Sequence, residues 1–205
     1  NDWTWASTMN FYLDGIAADY IVPANSISLE KTDYVVSSTG FAVPEAKVRY
    51  GEPSVILTDL ETEETQPVTV GQELTLTEGN RYTLTYTAEK LEGNGQDVTA
   101  VANLYVRQSG EMVSFEKDGA TYDGGNVTPV GTLTVNTVPA YVKYGVQSAK
   151  LLVNEGARAG FTWYAGARKY SEVENANALR FWVYVEETDE KKFGEARVKF
   201  TVETG

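Results

Sequence analysis

"RYTLTYTAEKLEGNGQDVTAVANLYVR", residues 81–107, decides the fold. Tyr82, Leu84, Tyr86 and Ala88 fall on one face of an extended chain, and Thr83, Thr85 and Thr87 on the other. Val98, Ala100, Ala102, Leu104 and Val106 repeat the pattern. Side chains alternate faces in a strand, so a period of two means two half-buried strands. Between them Gly93, Asn94 and Gly95 supply turn chemistry, which predicts a β-hairpin with a mid-length loop.

The same alternation recurs on both sides of this hairpin. Upstream, "AKVRYG" (46–51), "SVILTDL" (54–60) and "QELTLTEG" (72–79) read as strands. "ISLEKTDYVVS" (27–37) supplies an opening strand, and "GFAVPEAKV" (40–48) a strand with a bend at Pro44. Downstream, the predicted strands are "MVSFEKDG" (112–119), "GTLTVNTV" (131–138), "QSAKLLVNEG" (147–156), "AGFTWYAG" (159–166), "ALRFWVYV" (178–185) and "EARVKFTVETG" (195–205). Helical periodicity is nearly missing; "MNFYLDGIAADY" (9–20) and "VENANALR" (173–180) offer short turns at most. The expectation is an all-β chain of two β-sandwich modules in series, residues 26–108 and 111–205, behind an N-terminal arm, 1–25. "RQSGEM" (107–112) marks the boundary.

Composition narrows function. The chain has 205 residues, 42% hydrophobic and 12% aromatic, which suits a packed core and argues against disorder. Histidine and cysteine are absent. That removes imidazole general bases, Ser-His and Cys-His nucleophile systems, His or Cys zinc sites, and disulfides. No cofactor is implied. A net charge of −12 repels phosphate backbones and anionic lipid, so no nucleic-acid partner is expected. No apolar run reaches the length of a transmembrane segment. The opening "NDWTWASTMNF" lacks the basic region and apolar stretch of a secretory leader.

Residues 26–108 resemble a bacterial immunoglobulin-like domain, through "GFAVPEAKV", "VTVGQELTLTEGNRYTLTYTAE" and "QDVTAVANLYVR". Residues 111–205 are similar to galactose-binding-like jelly rolls of carbohydrate-binding modules, through "YGVQSAKLLVNEG" and "NALRFWVYV", although such jelly rolls usually have about eight strands and more residues than remain here. The resemblance implies a non-catalytic, secreted or cell-surface protein of the kind found in Bacteroides-like gut bacteria. Its implied partner is a poly- or oligosaccharide, with neighbouring domains in a longer chain. The rivals are a spacer or adhesion module without a small ligand, and a glycoside hydrolase using two of the 29 Asp and Glu residues.

A sugar site needs flat rings for the apolar C–H faces and donors for the hydroxyls. "FTWYAGARKY" offers Trp163, Tyr164 and Arg168; "VPAYVKYG" offers Tyr144 and Lys143, with Tyr141 nearby. Packing competes with binding for each ring. In "ALRFWVYV", Arg180, Trp182 and Tyr184 share one face and Leu179, Phe181, Val183 and Val185 the other. Apolar residues on both faces favour a central strand with Trp182 in the core; the alternative has Arg180 and Tyr184 flanking a ligand face. Trp3 and Trp5 share one side of the arm and are expected to pack on a neighbouring sheet. Asp118, Asp123 and Asn126 in "EKDGATYDGGN" carry oxygen ligands suited to Ca²⁺, but turn chemistry alone explains them. "LETEETQ" and "VEETDEKK" read as solvated turns.

Overall fold

The computed structural model describes residues 23–90, 95–111, 113–123, 127–152, 160–163, 177–178 and 180–185. Within them strands dominate: β1 (Ile27–Leu29), β2 (Asp33–Val36), β3 (Phe41–Ala42), β4 (Ala46–Val48), β5 (Ser54–Asp59), β6 (Thr65–Val68), β7 (Glu73–Leu74), β8 (Arg81–Ala88), β9 (Val98–Val106), β10 (Lys117–Asp118), β11 (Thr121–Tyr122), β12 (Val127–Val130), β13 (Thr132–Asn136), β14 (Ser148–Leu152) and β15 (Gly160–Trp163). A single 3-10 turn, Pro139–Tyr141, interrupts them. The described part is all-β. No helix in it is long and apolar enough to cross a membrane.

The predicted hairpin is the centre of a five-stranded sheet ordered β2-β9-β8-β5-β6. β8 pairs antiparallel with β9 from Arg81↔Tyr105 to Ala88↔Val98. β2 runs parallel to β9, and the remaining pairs are antiparallel. The β1–β4 and β3–β7 pairs supply a second layer. Val55, Leu57, Tyr82, Leu84, Tyr86, Ala102, Leu104 and Val106 from the large sheet meet Val43, Ala46, Leu74 and Leu76 from the other strands in one core. Leu84 and Tyr86 are 0% exposed. Each such large side chain contributes roughly 1.5–3 kcal/mol by leaving water. β8 alternates buried and half-buried along its full length, as its sequence predicts.

Among the described residues, the polar side chains entering this core have hydrogen-bond partners. Tyr86 donates its hydroxyl to the Pro44 carbonyl at 2.8 Å, at the bend that separates β3 from β4. Tyr82 accepts the Thr77 N–H at 3.0 Å, closing the corner between β7 and β8. Buried Asn25 donates to the carbonyls of Tyr50 and Glu89 and accepts the N–H groups of Ser26 and Tyr50. Gly79 turns the chain with φ +83, a backbone angle that L side chains disfavour, and donates to the Val106 carbonyl.

Several predicted elements differ from the structure. "ISLEKTDYVVS" forms two strands, β1 and β2, that join different sheets. "LETEETQ" is a turn only as far as Glu64, because Thr65 opens the edge strand β6. "ALRFWVYV" is the largest correction. Residues 180–185 form no strand, and Trp182 is 62% exposed rather than buried in the core. The arm with Trp3 and Trp5, the turn candidate 9–20, Asn126, "VEETDEKK" beyond Val185 and the strand predicted at 195–205 lie outside the described residues.

In the second half β12 pairs antiparallel with β15, from Val127↔Trp163 to Val130↔Gly160. β13 pairs with β14, from Thr132↔Leu152 to Asn136↔Ser148. Within "MVSFEKDG" the strand is confined to Lys117–Asp118, which forms a small hairpin with β11.

Candidate functional site

Two segments build the most exposed aromatic surface among the described residues. One is the turn from Val138 to Val146 between β13 and β14; the other is the stretch 180–185. Val138 and the 3-10 turn at Pro139 turn the chain so that Tyr141 and Tyr144 stand outward, 38% and 42% exposed. In the second stretch Trp182 and Tyr184 are 62% and 63% exposed.

The rings pair across the two segments. Tyr141 lies 4.6 Å from Tyr184, tilted by 33°. Tyr144 meets Trp182 edge to face at 6.5 Å and 74°. The Lys143 ammonium sits 4.5 Å from the centre of the Trp182 ring and 5.8 Å from that of Tyr144. Both distances allow cation–π attraction, which is strongest over an indole. The two ring pairs hold each other in place, yet all four rings remain open to water.

A buried carboxylate anchors the turn from behind. Glu116, 4% exposed, accepts the N–H groups of Val146 and Gln147 at 2.8 Å, both on Oε1. Gly145 lies against it with φ +70, and a Cβ there would stand 2.2 Å from Oε1. Burial pushes the Glu116 carboxyl above the ordinary range, and the two backbone N–H groups pull the other way.

Glu116 belongs to a polar junction between the first sheet and the second half. Asp123 is buried, binds the Arg107 guanidinium, and accepts the Ser114 N–H at 3.1 Å and its hydroxyl at 2.8 Å. Asp118 pairs with Lys31 and accepts the Val35 N–H at 3.0 Å. Lys117 reaches Asp33 at 2.8 Å. Burial raises the Asp33 pKa, but bonds from Lys117, Thr32 and Asn103 outweigh it, and the carboxyl lies below its usual range. Tyr105 points away from the core, and its hydroxyl donates to Glu111 at 2.9 Å. The stretch 107–111, within the segment read as the boundary between modules, folds back so that Glu111 reaches the Tyr105 hydroxyl. Phe115 holds φ +61 within this network, a strained angle for a side chain with a Cβ.

Of the ring and donor residues nominated from sequence, Tyr144 and Lys143 stand together in this surface. Trp163 ends β15 opposite Val127. Tyr164 and Arg168 lie outside the described residues. Sequence reasoning placed Trp182 in a core strand; its alternation with Arg180 and Tyr184 was the signal that could have found it on a face. Asp118 and Asp123 are drawn to different cations instead of converging, and no group of three or more metal-ligating side chains occurs among the described residues. No family model, curated protein or solved structure matches the chain.

Proposed function

We propose that this chain is a non-catalytic part of a secreted or cell-surface protein, an immunoglobulin-like module followed by a carbohydrate-binding one. The observation that carries the binding half is the open ring face of Tyr141, Tyr144, Trp182 and Tyr184 around Lys143. Contiguous exposed apolar surface marks interaction sites on soluble proteins. Flat rings fit the C–H faces of a pyranose, and the Lys143 ammonium can donate to hydroxyls at its rim. The rings are open to water, so affinity per site in the μM to mM range is expected.

The immunoglobulin-like half is supported by the two-layer core and by the Tyr82 hydroxyl closing the corner before β8. A tyrosine there is a recurrent feature of that fold. The spacer reading draws support from a different observation, the junction tied by Glu116, Asp118 and Asp123, which suits a stiff rod.

Affinity electrophoresis of the whole chain through gels containing soluble neutral and acidic polysaccharides separates these readings. Retardation in at least one gel, lost in Trp182→Ala, is the expected result. Unretarded migration in every gel overturns the binding half and leaves the spacer.

A further inference from the structure

We infer that the ring face takes an acidic glycan, one whose sugars carry carboxylates. This deepens the carbohydrate reading above and rests on it. The first observation is the state of Lys143. Among the ten described Lys and Arg residues, Lys31, Arg81, Arg107 and Lys117 carry an ion pair, and Lys143 is one of the six that do not. Lys143 has no carboxylate partner among the described residues and meets only the Trp182 and Tyr144 rings.

The second observation is where acids are missing. The chain has 29 Asp and Glu in 205 residues, about one in seven. Yet no acid occurs from residue 124 to 154, a stretch that carries Lys143 and Lys150, nor from 175 to 185, which carries Arg180. These two stretches supply both sides of the ring face. Among the described residues the acid bonded to this turn is Glu116, on its buried side, where burial favours the neutral form.

A neutral sugar needs rings and an uncharged donor; it does not require two acid-free stretches in a strongly acidic chain. An anionic polymer does, because a net charge of −12 repels it everywhere else. A uronate sets its carboxylate at the edge of a ring whose faces are apolar. With the sugar on Trp182, that edge group meets an ammonium 4.5 Å from the indole centre. The charge-assisted hydrogen bond so formed is roughly twice as strong as a neutral one.

The test is titration calorimetry of the whole chain at low salt with polygalacturonate and with the same polymer fully methyl-esterified, which keeps the backbone and removes the charge. Alginate provides a second uronate backbone. Expected is binding to at least one acidic polymer about fivefold or more tighter than to the ester, a preference that shrinks with added salt. Lys143→Gln should abolish the preference and leave residual binding, while Trp182→Ala abolishes both. Equal affinity for acid and ester, binding to the ester alone, or a preference that survives Lys143→Gln overturns the inference while the carbohydrate reading stands. Binding to none of these polymers overturns this inference; if every neutral polysaccharide in the gels also fails, the carbohydrate reading falls too.

Discussion

Glu116 concentrates the structural logic of the chain in one side chain. Its Oε1 holds two backbone N–H groups of the turn that carries the rings, and Gly145 leaves room for it. Because burial raises its folded pKa, the stability tied to its protonated form is complete below the unfolded pKa of about 4.3 and is lost as pH rises through the folded value. Glu116→Gln keeps an oxygen acceptor without the charge. It should be at least as stable as the parent at pH 7, with the difference vanishing near pH 4. Glu116→Ala leaves the two N–H groups without their acceptor and should lose about 1–3 kcal/mol. Urea titrations at the two pH values check both. Asp33 has the opposite sign: its depressed pKa gives stability above the unfolded value that disappears on further acidification. None of this was legible in the sequence. "SFEKDG" reads as one more alternating strand, and only the fold brings Glu116 to a glycine 29 positions away.

At the scale of elements, legibility tracked whether a strand has one wet face. β8 and β9 do, so alternation identified them and their buried residues correctly. Tyr105 broke the pattern because the chain after β9 folds back to cover it, a tertiary event with no local signature. Residues 180–185 misled for the converse reason. Apolar residues on both faces suit a central strand, but also suit a surface that presents rings. β6 was hidden by the acidic turn before it and by Pro67, which is tolerated because β6 lies at the edge of its sheet. Pro67 also denies that edge a donor, which discourages pairing with a second molecule. Pro67→Val should therefore raise self-association while preserving the fold. Sedimentation velocity over a concentration series would show a growing dimer; an unchanged monomer would contradict this role.

Across the whole molecule the decisive feature is the junction. Arg107 with Asp123, Lys31 with Asp118 and Lys117 with Asp33 join the first sheet to the segment that leads into the second half. Glu116 carries that connection on to the turn at Val146. A buried carboxylate paired with a guanidinium is costly to break, because the partner is left without compensation. The chain should unfold in one calorimetric transition, and Asp123→Ala should separate it into two. Two transitions in the parent would show that the halves are not coupled.

The ring face itself is open to the most direct check. A variant with Trp3, Trp5 and Trp163 changed to Phe leaves Trp182 as the single indole. Its fluorescence should be that of a water-exposed indole, readily quenched by acrylamide and shielded when a bound polysaccharide covers the face. A blue-shifted emission that resists acrylamide would place Trp182 in a core strand and remove the surface on which the binding account stands.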